Sequence, residues 1–453
     1  MSYASALDRL YALGQELHTA PGAPRRKFEL AHMRTLMGAL GNAERKFASI
    51  LVAGTNGKGS TSSTLASILS RAGYKTGLYT SPHLSRINER IQVNGVVISD
   101  NDFAAHFDHV EEIASTLVRD GRLPGLPSFF ETVTAIGFLH FASSHIHTAV
   151  VEVGMGGKLD ATNIVEPLVS IITDISLDHT EWLGSTVDLI AREKAGILRR
   201  DGVMITLPQH PEANQALGEV AVELNVRGVN AGSYIPVHNH PEQYTRNRYP
   251  LSVIGELIEI DSPLAGAHQQ RNLALAIAAA VELRNNYSYN IGPIDVQAGI
   301  RDTIWPARLE SIAGAGGRAD VLLDVGHNPA GAWALRAAVS QRDQGQPLTL
   351  VFGCLKDKPA VELAQILFPL FAKVVLTPVD SPRSASVQDL LAAARITGSD
   401  AEATTDAIAA MDRAFAITPT HGLIVVTGSV YLVGQVRPLL VPAHAVAGEP
   451  LKV

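Results

Sequence analysis

Eight consecutive residues, Gly54-Thr55-Asn56-Gly57-Lys58-Gly59-Ser60-Thr61, constrain the fold of this chain more than any others. They lie between an apolar, strand-like segment (Ser49 to Ala53) and a helix-like one (Ser60 to Ala72). Glycines at such a junction let backbone N–H groups curl around an anion, and the new helix adds its positive N-terminal end. Lys58 then reaches toward terminal phosphates, and the Ser60 and Thr61 hydroxyls fall near where a Mg²⁺ would lie. Strand, glycine loop, lysine and helix in that order predict a phosphate cradle and a nucleoside triphosphate as its ligand. Two positions depart from the standard P-loop pattern: Val52 stands where its first glycine would be, and Gly59 where Ser or Thr would follow the lysine. The plainer alternative is an ordinary glycine turn.

At 453 residues the chain is long enough for two or three domains with a large core. Hydrophobic residues at 46% and charged ones at 18% predict a globular protein, and a formal net charge of −7 argues against a general nucleic-acid surface. A single cysteine, Cys354, allows no internal disulfide and fits a reducing cytoplasm. Asp8 and Arg9 stand where a signal peptide would be apolar, and the richest apolar segment, Leu273 to Val281, is too short to span a bilayer. A cytoplasmic protein with no membrane partner, acting as a monomer, is the expectation.

Two helices lead in, near Ser5–Leu17 and Phe28–Leu40. Strands at Lys75–Thr80, Thr148–Val153, Val169–Thr173 and Val203–Leu207 then alternate with helices. Ser99, with Asp102 three residues on, predicts the capped start of a helix running to about Arg119. Such alternation implies a parallel sheet covered by helices. Asn230 to Pro250 has no clear period. Leu251–Ile260 reads as one strand and His268–Leu283 as an apolar helix. Asn285–Pro293 breaks the pattern, and a second α/β pattern begins at Trp305, with strands at Asp320–Val325, Leu348–Gly353, Lys373–Thr377 and Leu423–Thr427. The fold expected is α/β: a P-loop-type, mostly parallel sheet domain over residues 1–302, then a smaller Rossmann-like α/β domain over 303–453.

Glu152 and His179 each follow a short apolar strand, and parallel sheets gather ligands beyond the carboxyl ends of their strands. If those strands neighbour the one before the cradle, both side chains reach a metal beside the phosphates. The alternatives are a salt-bridged carboxylate and a loop histidine. The glycines of Glu152-Val153-Gly154-Met155-Gly156-Gly157 favour function, because they imply close approach of backbone to something. Ser81, in Thr80-Ser81-Pro82-His83-Leu84, either contacts metal or substrate or forms a simple Ser-Pro turn. Lys194, on its own, reads as a solvated helix lysine. Asp324 and His327 follow a strand of the second pattern and suit gripping hydroxyls or phosphates, with Asn328 able to cap the next helix. Arg308, just past the boundary, is placed to swing onto a phosphate. Asn272, near the start of its helix, either caps it or serves the site.

The ordered set of motifs resembles the folylpolyglutamate synthase and dihydrofolate synthase family, within the ATP-dependent Mur ligase superfamily. The stretches that carry the resemblance include Ala53 to Ser60, Thr80 to Leu84, Arg86-Ile87-Asn88-Glu89-Arg90-Ile91, Phe129-Phe130-Glu131 and Glu152 to Gly157. Leu159-Asp160-Ala161-Thr162-Asn163, Asp178-His179, Glu193-Lys194-Ala195-Gly196, His268-Gln269, Gly326-His327-Asn328-Pro329 and Val426-Thr427-Gly428-Ser429 continue it almost to the end. The resemblance implies that Asn56, Gly57, Lys58, Gly59 and Ser60 hold ATP, and that Ser81, Glu152 and His179 ligate Mg²⁺. It implies that Asn272, Arg308, Asp324 and His327 grip ATP from across the cleft. Lys58, Lys194 and His179 form the implied catalytic set, Lys194 matching a position that is carbamylated in the family. Ser128, Phe129, Phe130 and Glu131, with Leu159, Asp160 and Ala161, match its pterin-site segments. Pro306-Ala307-Arg308 stands where Pro-Gly-Arg is common, and Asp324-Val325-Gly326-His327 where Asp-Gly-Ala-His is usual; both read as changes of spacer only.

The implied activity is an ATP-dependent amide ligase. Phosphoryl transfer to a carboxylate makes an acyl phosphate, and the amine of L-glutamate attacks it, with dihydropteroate, a folate, or both as acceptor. The rivals are a muramyl-type ligase of the same superfamily and a nucleotide-dependent ATPase with no ligase chemistry.

Overall fold

A computed structural model describes residues 2–14, 29–237, 245–342 and 345–441. The end of the first expected helix (15–17), Phe28, and part of the aperiodic stretch (238–244) lie outside them. Two twisted sheets, each flanked by helices, carry the architecture.

The larger sheet has eight strands: β1 (Ala48–Ala53), β2 (Thr76–Tyr79), β3 (Ile91–Val93), β4 (Val96–Val97), β5 (Thr148–Glu152), β6 (Pro167–Ile172), β7 (Val203–Thr206) and β8 (Arg227–Asn230). Their order is β4-β3-β2-β5-β1-β6-β7-β8, parallel except for the two pairings of β3. β1 is thus flanked by β5 and β6, with Val52 beside Glu152 on one side and Ala53 beside Ile172 on the other. Alternate residues of β1 feed two separate cores: Ile50 and Val52 face one, Leu51 and Ala53 the other. Side chains alternate faces along a strand, so burial on both faces produces the near-continuous apolar runs seen in the sequence. Helix Lys58–Arg71 follows β1 directly and packs against helices Ala267–Asn286 and Pro293–Arg301.

Leu251–Ile260, expected as one strand, is a hairpin. β9 (Asn247–Val253) and β10 (Glu256–Ser262) pair antiparallel around Ile254 and Gly255, both at positive φ. The turn was hidden because Ile254 is a residue type that rarely adopts that conformation.

The second sheet has β11 (Glu310–Ile312), β12 (Asp320–Leu323), β13 (Leu348–Phe352), β14 (Lys373–Leu376), β15 (Ala401–Ala403) and β16 (Leu423–Thr427). Its order is β11-β12-β16-β13-β14-β15, parallel apart from β11. Helices Pro329–Arg342, Ala360–Leu367, Val387–Thr397, Ala407–Ile417 and Val430–Leu440 cover it. No described helix is long and apolar enough to cross a membrane.

Candidate active site

The order of the large sheet places the exits of β1, β2, β5 and β6 side by side, and the loops there meet loops of the second sheet. Two adjoining cavities form at this junction, of about 590 and about 460 Å³. They share Ser81, Pro82, Gly154, Met155, Gly156, His179, Leu183 and His327.

The larger cavity is lined by the glycine loop. Thr55 and Asn56 both donate backbone N–H bonds to the Asp174 carbonyl (2.8 and 3.1 Å), so the loop after β6 holds the loop after β1. Gly57 has φ +89°, and a Cβ there would lie 2.1 Å from Asn272 Oδ1. Gly59 needs its bareness for another reason: a Cβ would lie 2.5 Å from Cζ2 of Trp305. That contact accounts for glycine where the standard motif carries a hydroxyl. Lys58 Nζ donates to the carbonyls of Gly54 and Thr55 (3.1 and 3.2 Å). Ser60 is buried at the first turn of the helix.

Lys194 is not a solvated helix lysine. It is buried, and its Nζ donates to the same Gly54 carbonyl at 2.7 Å. Burial, with the charge of Lys58, lowers its amine to about 7, so a substantial neutral fraction exists near neutrality.

Glu152 is 4% exposed, and its carboxylate accepts the Ser81 N–H at 3.3 Å. Burial raises it to about 7 against the pull of Lys58 and Ser81. No described cation lies within ion-pair reach of it. Burial also holds the His179 imidazole down to about 4, so it stays neutral and able to ligate. No group of three His, Cys, Asp or Glu side chains that could cage an ion exists among the described residues. One buried carboxylate, one neutral imidazole and the Ser81 hydroxyl make an open donor set. Such a set suits Mg²⁺, which keeps waters and takes its remaining oxygens from phosphates.

Asn272 lies inside helix Ala267–Asn286, not at its cap, and donates to Gln269 Oε1 (2.7 Å) beside the glycine loop. Asp324 accepts the Leu309 and Gly326 N–H groups (3.1 and 2.8 Å), so it fixes the segment that carries Arg308. Arg308 lines the cavity, donates among the described residues to its neighbour's carbonyl, Ala307 O (3.1 Å), and has no described acidic partner within ion-pair distance. Burial lowers its pKa, with Asp324 and Glu152 opposing. Ala307 and Leu309, its two neighbours, are buried at φ +59° and +51°. The Ala307 position is therefore a strained left-handed one and more than a spacer, which is why glycine suits it.

Asp178, adjacent to His179, joins the two sheets. Lys358 Nζ donates to Asp178 Oδ1 (2.8 Å), Asn328 Nδ2 to Asp178 Oδ2 (3.1 Å), and His327 Nε2 lies 3.7 Å from Oδ2. Burial opposes the charge, but His327, His179 and Lys358 hold the carboxyl far below its usual range. Asn328 also exchanges bonds with Asn56 (3.0 and 3.4 Å) and caps its own helix through Gly331 N (2.9 Å). Capping and site contact hold together. Asp178 and Asn328 lay in motifs visible in the sequence; Lys358, within Lys356-Asp357-Lys358, and Trp305 carried no local signal of their role.

The smaller cavity brings together all seven residues of the two segments from which a pterin contact is expected. Ser128 and Glu131 form a capping box: Glu131 Oε2 accepts the Ser128 N–H at 2.7 Å. Phe129 and Phe130 begin the helix they cap, and Leu159 is half exposed at the rim. Both Asp160 oxygens are occupied, by the N–H groups of Met155 and Thr162 at 3.0 Å, so Asp160 shapes the glycine segment beside Ala161. Two cations from loops of the second sheet, Lys358 and Arg383, also line it, the latter paired with Asp357 at 2.7 Å.

Residues 52–280 match the Mur ligase middle domain, and residues 307–430 match the Mur ligase, glutamate ligase domain. The chain is 33% identical over 414 residues to the dihydrofolate synthase/folylpolyglutamate synthase of Bacillus subtilis, covering 91% of this chain and 94% of that one. Among solved structures it is similar to Mycobacterium tuberculosis folylpolyglutamate synthase complexed with ADP, with a TM-score of 0.85, 32% identity, and coverage of 96% and 98% of the two chains. It is likewise similar to Escherichia coli FolC in complex with DHPP and ADP, with a TM-score of 0.82, 29% identity and 97% of each chain covered. With matches that span both sheets and nearly the whole length, the chain belongs to the folylpolyglutamate synthase/dihydrofolate synthase family of Mur ligases.

Proposed function

We propose that this chain is an ATP-dependent ligase that joins L-glutamate to dihydropteroate and to reduced folates through an acyl phosphate. The observation that carries this reading is the shared wall: a phosphate-type cavity and an aromatic-lined cavity meet at Ser81, Gly154 to Gly156, His179 and His327. A carboxylate lying in one cavity then meets a γ-phosphoryl group lying in the other. We take residues 1–302 and 303–453 as the two domains that face each other across this junction.

Asn56 to Ser60 and Asn272 cradle the triphosphate, and Lys58 leaves its loop carbonyls to follow the γ-phosphoryl group as it moves. Arg308, without an acidic partner among the described residues, balances phosphate charge from the other side. Glu152, His179 and Ser81 would hold Mg²⁺, with Lys194, once carbamylated, as a further carboxylate. Bound there, the ion offsets charge on the phosphates. The pterin lies between Phe129–Phe130 and Leu159–Ala161, and glutamate enters beside Lys358 and Arg383. Its neutral amine attacks the acyl carbonyl, phosphate leaves, and the amide nitrogen loses its extra proton. Closure of the two domains over the junction would keep water from the activated acyl group.

A phosphate-release assay with ATP, Mg²⁺, glutamate and either dihydropteroate or tetrahydrofolate tests the reading. Acceptor-dependent release with both supports a bifunctional enzyme. No turnover with any pterin acceptor rejects it.

A further inference from the structure

We propose that Trp305 is a positioning residue: its indole couples the glycine loop to Arg308 and sets where that guanidinium sits over the nucleotide cavity. The inference rests on reading that cavity as the nucleotide site. Three observations carry it.

First, the indole lies directly on Gly59, close enough that a Cβ there would fall 2.5 Å from Cζ2 and 2.9 Å from Cε2. Trp305 therefore touches the loop at the residue after Lys58. Second, the Arg308 guanidinium carbon lies 5.7 Å from the centroid of the same ring, within cation–π range. Third, the backbone of Arg308 is fixed from both sides. Ala307 and Leu309 are left-handed, Leu309 N–H is held by Asp324, Val325 N–H donates to Ala307 O (3.2 Å), and Ala307 N–H donates to Glu310 (2.8 Å). Glu310 is itself paired with Arg437 at 2.9 Å. The main chain thus fixes where the Arg308 side chain begins, and the indole face is what remains to fix where it ends. A half-buried cation with no acidic partner among the described residues needs such a guide.

The indole Nε1–H is buried and has no hydrogen-bond partner among the described residues. What the arrangement uses is the flat aromatic surface, and this sets the substitutions. Trp305→Phe keeps an aromatic face; Trp305→Met keeps apolar bulk over Gly59 without one.

The experiment is calorimetric titration of the full chain with a non-hydrolysable ATP analogue and Mg²⁺. Trp305→Met is expected to weaken binding roughly 5–20-fold, and Trp305→Phe to stay within about 3-fold of the parent. In an Arg308→Ala background, Trp305→Met should change affinity less than about 2-fold further, since its effect runs through Arg308. Gly59→Ala gives a second route, independent of whether Trp305→Met folds: the added methyl drives into the indole, so its loss of affinity should shrink in the Trp305→Phe protein. Equal effects of Trp305→Met with and without Arg308, or no rescue by Phe, overturn the proposal while leaving the nucleotide site standing. A parent chain that binds no analogue overturns both.

Discussion

Removing either partner of the Asp178–Lys358 pair should destabilise the protein, and by unequal amounts. The side chains are 10% and 6% exposed and 2.8 Å apart, and they tie the loop after β6 to the loop after β13. Removing one member of a buried pair costs about 3–5 kcal/mol when the survivor is left uncompensated. The survivors here differ. In Lys358→Met, Asp178 keeps Asn328 Nδ2 (3.1 Å), the His179 N–H (2.9 Å) and the nearby His327 ring. A carboxylate with that support should bring the loss down to about 2 kcal/mol. In Asp178→Asn, the Lys358 ammonium has no other described side-chain partner, so the loss should reach about 4 kcal/mol. The double variant removes both charges and should lose about 2 kcal/mol less than the sum of the singles. Urea denaturation of the four proteins, followed by circular dichroism, completes the cycle. Equal losses in the two singles, or simple additivity in the double, would refute the claim that this contact is a buried, partner-dependent one.

The Lys194 amine, held to about 7 by burial and Lys58, should take up CO₂ as a carbamate. The neutral amine is the reactive form, so a ¹³C carbamate signal from labelled bicarbonate should grow from pH 6 to pH 8 and vanish in Lys194→Arg. At Ala307, Gly relieves about 1 kcal/mol of left-handed strain. It also gives up a buried methyl worth about 0.8 kcal/mol. Added unfolded-state freedom costs Gly a further 0.5–1 kcal/mol or about that. Ala307→Gly should therefore lose only about 0.5 kcal/mol, a small drop in the urea midpoint, whereas Ala307→Val, β-branched at φ +59°, should lose more than about 2 kcal/mol. Burial pushes the Cys354 thiol up to about 12, so it should ignore Ellman's reagent at pH 8 and react only after denaturation.

Much of the architecture was legible because it is written locally. Ser99 does accept the Asp102 N–H, and the helix runs to Arg119. The apolar runs before Gly54, Glu152 and Asp178 are neighbouring strands, each largely buried on both faces. What was hidden depends on contacts between distant segments. The burial of Lys194 comes from the Gly54 carbonyl, 140 residues away. The Gly59 departure answers to an indole at 305, and the importance of Asp178 comes from Lys358 in the other sheet. The left-handed Ile254 and Ala307 gave no local sign because their residue types argue against the conformations they adopt.

Gly154 to Gly156 serve as one partition with a chamber on each face. A single synthetic molecule bearing a pterin-like head and a phosphorylated tail, long enough to reach past that partition, would place one end in each chamber. Its grip would draw on both halves at once, gaining from the tether what two separate compounds forfeit in lost freedom.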